Sequence, residues 1–199
     1  MRWHLVMFVR APAFGRGKRR LAREVGDVAA LRFERLMIAR LLRRLAGDLR
    51  WRCRIAVTPD RAAPAARQWR RGIETLPQGR GDLGSRMRRA IAAAPPGPVV
   101  LIGGDIPAIA AGHIAAAFRL LGKCDLVFGP AADGGFWLVG ARRRPRLPPL
   151  FARVRWSSPH ALADTLSGLP NGVTVRYVET LEDIDDGDSY RRLRRQRGF

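Results

Sequence analysis

With 199 residues, 47% of them apolar, the chain can enclose one substantial hydrophobic core, but two independent domains would each be marginal. No stretch approaches the ~20 uninterrupted apolar residues of a membrane span, and the apolar opening at residues 5–9 runs into Arg10 and Pro12 without a small-residue cleavage site, so a single cytoplasmic domain over 1–199 is expected. The formal charge of +20 invites a nucleic-acid reading, yet Lys18 and Lys123 are the only lysines among 37 basic residues and the arginines are spread among alanines rather than clustered with aromatics, which argues against a dedicated nucleic-acid binder.

In chain order, short β-rich runs alternate with amphipathic helical stretches, the pattern of an α/β fold with a mostly parallel sheet covered by helices. Residues 4–9 read as the first strand. Asp27 can cap a helix whose Ala30, Phe33, Met37, Leu41 and Leu45 recur at helical spacing. Residues 53–57 alternate as a second strand, 62–70 suit a helix, 73–76 a short third strand, and Asp82 caps a helix carrying Leu83, Met87 and Ile91. The continuous apolar run 99–102 predicts a central strand buried on both faces, ending on Gly103-Gly104-Asp105. A helix at 110–121, strands at 126–128 and 136–139, an irregular segment at 141–158, a helix near 161–166, a strand at 173–178, an acidic turn and a terminal helix complete the series. Cys53 and Cys124 lie far apart in apolar runs, as buried free thiols do.

Several loops carry chemistry. After the first strand, Gly15, Gly17, Lys18, Arg19 and Arg20 combine exposed backbone amides with cations, an anion cradle at the carboxyl edge of a sheet. It is not a Walker A loop, because Pro12 stands where the first glycine belongs and Arg19 where the Ser or Thr should be; an unspecialised basic loop is an equal reading. Gly79-Arg-Gly81-Asp-Leu-Gly84 spells a dinucleotide fingerprint, with Asp105 as its acidic partner, although it sits mid-chain and apart from its strand. Asp105 follows a buried strand, where α/β folds bind ligands and where one or two carboxylates with substrate phosphates hold Mg²⁺. Asp133-Gly134-Gly135 is either a ligand loop or an ordinary turn. Five carboxylates gather at 182–188, in an arrangement that is not an EF-hand. His4, His113 and His160 lack ligand spacing, and there is no Gly-x-Ser-x-Gly elbow.

Taken together, Phe8-Val-Arg-Ala-Pro with Gly15 and Lys18-Arg-Arg20-Leu-Ala, then Gln78-x-x-Gly-Asp-Leu-Gly84-x-Arg86-Met87, Gly104-Asp105-Ile-Pro107, Gly129-Pro-Ala-x-Asp133-Gly-Gly-Phe136, Trp156-Ser157 and Asp183-x-Asp185 resemble the bacterial GT-A-fold glycosyltransferase-like family. Some of its members are associated with arsenosugar biosynthesis, and it is distantly similar to phospholactate guanylyltransferase and the molybdenum-cofactor nucleotidyltransferases. The resemblance spans nearly the whole chain. It implies a Rossmann-like nucleotide-diphospho-sugar transferase fold and makes residues 79–87 a family block rather than a dinucleotide site.

The same resemblance implies Asp105, Lys18 and Asp133 as catalytic residues. It places Arg10, Gly15, Lys18, Arg20, Gln78, Asp82, Arg86, Gly104, Gly134 and Gly135 at the nucleotide, and Asp105 with Asp185 on one Mg²⁺ or Mn²⁺. Asp183 then becomes structural and Asp188 a helix cap. This chain departs from the family at Gly104 (usually Thr), Ile106 (usually Cys) and Arg19 (usually Thr). The expected reaction is transfer from a nucleotide-activated donor to an unknown acceptor: glycosyl transfer from a sugar nucleotide first, nucleotidyl transfer from an NTP with release of pyrophosphate second. A non-catalytic basic protein that binds nucleic acid or other anions is the remaining alternative.

Overall fold

The computed structural model describes residues 2–144, 146–182, 184 and 186–197. In chain order the elements are β1 (Trp3–Arg10), α1 (Arg19–Val25), α2 (Asp27–Leu45), β2 (Trp51–Thr58), α3 (Ala63–Ala66), β3 (Glu74–Pro77), α4 (Leu83–Ala92), β4 (Val99–Gly103), α5 (Ala111–Leu121), β5 (Leu126–Pro130), β6 (Phe136–Ala141), α6 (Ala161–Ser167), β7 (Val175–Tyr177) and α7 (Gly187–Arg197). Among the described residues the strands form one sheet in the order β3-β2-β1-β4-β6-β5-β7. All neighbours are parallel except β6, which runs antiparallel between β4 and β5. This is an α/β architecture with a mostly parallel sheet, as the alternation of strands and helices predicts.

Alternation along β1 divides its side chains between two cores. Leu5, Met7 and Val9 pack with Ile38, Leu41 and Leu42 of α2 and with Ile114 and Phe118 of α5. Val6 faces the other way, against Met87 and Ile91 of α4 and Phe128 of β5. Helices thus cover both faces, and β4, sandwiched between them, buries all of Val99–Ile102. Each fully buried Leu or Ile contributes about 1.5–3 kcal/mol relative to exposure, so this strand is a rigid base for the loop that leaves it.

The structure changes three local expectations. Residues 19–25 form α1 rather than loop: Leu21 is fully buried and packs with Phe33, Met37, Ile184 and Leu193. Asp27 is the first residue of α2, with Gly26 at the cap position. Residues 62–70 form no continuous helix but α3 flanked by single 3₁₀ turns, with Pro64 in its first turn. Cys53 and Cys124 are free thiols, and burial pushes that of Cys53 up to about 12.

The final strand is not beside β4, as a shared metal site across adjacent strands would require; β6 and β5 lie between them. The chain nevertheless returns to the centre, where Leu181 bridges to Ala131 and Glu182 and Ile184 border Pro107 and Ala108, just beyond Asp105. Asp183 and Asp185 lie outside the described residues. Asp186, rather than Asp188, caps α7: its Oδ1 accepts the Ser189 N–H at 2.8 Å, while Asp188 pairs with Arg191. No described helix is long and apolar enough to cross a membrane.

Candidate functional site

The crevice lies where β1 and β4 run side by side and the chain departs from them in opposite directions across the sheet, the position at which open α/β sheets bind ligands. Phe8 pairs with Gly103, so Arg10 and the Gly104-Asp105 step leave the sheet at the same edge. Lys18, the residue preceding α1, aims its ammonium into the crevice, where Nζ lies 3.4 Å from Asp105 Oδ2. The two partners differ sharply in exposure, with the lysine side chain 7% exposed and the aspartate 61%. A pair with one partner in water is worth about 1 kcal/mol or less, and the lysine lines the cavity that an anionic ligand would enter.

Glu34 of α2 completes this arrangement. Its Oε1 accepts the Lys18 backbone N–H at 2.8 Å, and a side chain at Gly17 (φ 122°) would collide with that carboxylate, so only glycine lets the loop close over it. Burial pushes the Glu34 carboxyl above the ordinary range and the Asp105 charge adds to the effect, against the opposing pull of the Lys18 N–H and ammonium and of Arg10. Arg10, Lys18, Arg19, Arg20, Glu34, Gly104 and Asp105 line a cavity of about 340 Å³. Gly104 belongs in its wall for steric reasons, since a Cβ there would lie 2.8 Å from Val9 Cγ1.

Asp105 also borders a second cavity, of about 370 Å³, on the opposite side of the strand end. Asp133 and Gly135 form part of that wall, Asp133 Oδ1 accepting the Gly135 N–H at 2.9 Å. Phe136, Trp137 and Trp156 supply an aromatic surface. Phe136 stacks on Phe151 (6.1 Å between centroids, 9°), and Trp156 meets both rings. Gly84 makes this packing possible, because a Cβ there would lie 2.5 Å from Phe151 and 2.8 Å from Trp156.

Of the expected binding residues, Arg10, Lys18, Arg20, Gly104 and Asp105 meet in the first cavity, and Asp133 and Gly135 line the second. Gln78 is a correction. It is 1% exposed, donating from Nε2 to the carbonyls of Val9 (2.9 Å) and Ala56 (3.0 Å) and accepting from Arg86 at Oε1 (3.0 Å), so no hydrogen-bonding group of its amide is directed to a ligand. Arg86 is committed to that amide and to the Asp82 carbonyl, and Asp82 caps α4 by accepting the Ser85 N–H. Contacts with Ser85, and then Trp156, hold the Asp82 carboxyl below its ordinary range.

Neither Asp82 nor Arg86 lines either cavity. Gly15 sits in the turn closed by the Ala13–Arg16 pairing, beside the first cavity rather than in it. Gly134 (φ 86°) is a packing residue, since any side chain would strike the Pro159 carbonyl. The dinucleotide alternative loses its geometry, because the 79–84 loop follows the edge strand β3, which two strands separate from β4, rather than opening a unit at the centre of the sheet. Arg19 starts α1 and turns back to Asp27 (3.2 Å) and the Gly15 carbonyl (3.1 Å), and Ile106 is buried in the core. Glu34 was absent from the expected site, yet it has a sequence signal: an acid inside the stripe Ala30, Phe33, Met37, Ile38 that an amphipathic helix fills with apolar residues.

Comparison with known proteins defines the class first. A structure from Desulfovibrio desulfuricans G20, provisionally assigned as a nucleotide-diphospho-sugar transferase, superposes with a TM-score of 0.85 at 26% identity over 100% of this chain and 90% of its own. The CMP:2-keto-3-deoxy-manno-octonic acid synthetase in complex with CTP shares the fold (TM-score 0.64, 13% identity, 98% of each chain). So does the manganese complex of Rv0371C from Mycobacterium tuberculosis H37Rv (TM-score 0.55, 20% identity, 98% of this chain and 100% of the other). The chain belongs to the bacterial family described as "Uncharacterized protein conserved in bacteria (DUF2064)", whose model matches residues 41–158, more than half of its length. No curated protein matches it.

Proposed function

We propose that this protein is a divalent-metal-dependent transferase acting on a nucleotide-activated donor whose phosphates occupy the basic crevice. The observation that carries this reading is the Lys18–Asp105 pair between the ends of β1 and β4, flanked by Arg10, Arg19 and Arg20. Lys18, Arg10 and Arg20 neutralise phosphate oxygens, while Glu34 anchors the Lys18 backbone and so fixes the start of α1.

Among the described residues no three His, Cys, Asp or Glu side chains gather into a ready-made metal cage. An exposed carboxylate beside a phosphate site suits Mg²⁺ or Mn²⁺, which take one or two protein carboxylates with phosphates and water as the remaining ligands. Asp105 is that ligand in this reading. Asp185, proposed as the second from the resemblance of the Asp183-x-Asp185 segment, lies outside the described residues. The bound ion supplies charge neutralisation at the reacting phosphate.

Arg10, Lys18 and Arg20 bring three cations to one crevice, enough to spread over a triphosphate, while Arg19 is turned to Asp27 and the Gly15 carbonyl. The geometry therefore favours nucleotidyl transfer from an NTP, in accord with the fold shared with the CTP-bound synthetase. Glycosyl transfer is the second reading, favoured by the assignment of the 26%-identical Desulfovibrio structure. Calorimetric titration of nucleoside triphosphates and sugar nucleotides with Mn²⁺ identifies the donor. Product analysis then decides the chemistry, pyrophosphate marking nucleotidyl and nucleoside diphosphate glycosyl transfer. Absence of saturable binding by either class overturns the assignment.

A further inference from the structure

The two cavities that meet at Asp105 differ in charge more than in size. The first is lined by four cations. The second is lined by no Lys, Arg or His among the described residues, in a chain where 37 of 199 residues are Lys or Arg. Its polar groups are the carboxylates of Asp105 and Asp133 and the hydroxyls of Ser157 and Ser158, set among aromatic and aliphatic side chains. Nearby cations are directed elsewhere: Arg155 is held to Asp164 through Nε (2.8 Å) and Nη2 (2.7 Å), and Arg86 is held to Gln78 and Asp82. Lys18 reaches Asp105 from the first cavity.

We propose that the second cavity is the acceptor site and that it selects an uncharged, hydroxyl-bearing acceptor with an apolar face, rejecting phosphorylated and carboxylated compounds. This rests on the donor reading given above. A phosphate placed beside Asp133 would meet a like charge and no cation of the cavity wall, since Lys18 and an ion held at Asp105 serve the donor's phosphates, and like-charge juxtaposition costs several kcal/mol. A sugar-like hydroxylated ring finds what such ligands use, an aromatic wall with a few polar groups fixing orientation. Asp133, with Oδ1 fixed by the Gly135 N–H, is the group that receives the acceptor's proton. The hydroxyl oxygen forms the new bond to the donor's α-phosphorus, or to its anomeric carbon in glycosyl transfer. The bond to pyrophosphate or nucleoside diphosphate breaks with its electron pair, and the proton passes to Asp133.

The test uses the full chain and matched probes: phenyl glucoside and phenyl galactoside against phenyl phosphate, glucose 1-phosphate and glucose 6-phosphate. Binding is read by tryptophan fluorescence and saturation-transfer NMR, with the basic crevice saturated by inorganic pyrophosphate and at an ionic strength that suppresses general attraction to a +20 chain. The uncharged probes should bind at least about tenfold tighter than the phosphates, and Asp133→Lys should reverse the order. Preference for the phosphates in the natural chain, no binding of either uncharged probe, or an order unaffected by Asp133→Lys in a variant with unchanged melting overturns the proposal. Titration of nucleotide with Mn²⁺ is run in parallel. Loss of nucleotide binding with intact probe selectivity counts against the donor reading alone, and the converse counts against the acceptor class alone.

Discussion

Lys18 Nζ and Asp105 Oδ2 stand 3.4 Å apart, one on a largely buried side chain and the other on an exposed one, joining the residues that follow two adjacent parallel strands. The lysine is held from behind by Glu34 and the aspartate by its strand, so the pair is set before a ligand arrives. Lys18→Ala is expected to weaken nucleotide affinity about 10- to 100-fold, the equivalent of one charge-assisted hydrogen bond of about 1.5–3 kcal/mol. Asp105→Asn should remove the dependence of that affinity on Mn²⁺ with little change in melting temperature, because its carboxylate is solvated. Calorimetry of both variants with and without Mn²⁺ checks this, and unchanged affinity in both would remove the pair from the site.

Glu34→Gln tests the buried carboxyl. Burial raises its folded pKa above the ordinary 4.5, so as pH rises past that value the unfolded chain releases this proton first. Stability then falls with rising pH until the folded group has also ionised, and remains lower above that window. Glutamine keeps an acceptor for the Lys18 N–H without the charge. Thermal melts should show no difference from the natural chain at acidic pH and a more stable variant at neutral pH. A pH-independent difference contradicts this.

Arg143 ties the end of α4 to the turn that follows. Its guanidinium donates to the carbonyls of Ile91 (3.2 Å), Ala94 (2.9 Å) and Gly97 (2.6 Å), and to that of Pro95. Removing the donors leaves several partly buried carbonyls unpaired, at about 1–3 kcal/mol. The residue also has φ 59°, a region unfavourable to a residue with a Cβ. Arg143→Ala should therefore be less stable than Arg143→Gly, which relieves the backbone, and Arg143→Lys should recover little because an ammonium cannot span these acceptors. Urea unfolding of the three variants supplies the ranking.

His4, 2% exposed in β1, has its imidazole pushed below the ordinary 6.5 chiefly by burial. For a depressed histidine the unfolded chain takes up the proton first as pH falls, so its contribution is full above about 6.5 and declines below that value toward the folded pKa. His4→Leu should flatten the stability profile between pH 6.5 and 5, readable by calorimetry. An identical slope in the variant assigns the acid sensitivity elsewhere.

Local periodicity made much of this fold legible in the sequence. The run Val99–Ile102 is a central strand because every side chain in it is apolar, and α2 follows from an apolar stripe at helical spacing. Asp105 could be placed at the carboxyl edge because it directly follows that strand. Such features depend on neighbours within a few residues. Seven-residue α1 was hidden because Leu21, Ala22 and Val25 are diluted by arginine, and Leu21 becomes a core residue only when Phe33, Ile184 and Leu193 are brought against it. The insertion of antiparallel β6 between β4 and β5, and the removal of β7 to the edge, are decided by which apolar faces fit together. The same long-range packing turns Gln78 inward to the carbonyls of Val9 and Ala56 and brings Glu34 beneath Lys18. Residue type and order could name the charges of the crevice, but which of them face a ligand and which are consumed by the protein's own backbone depends on desolvation, and that arises only once distant segments share one volume.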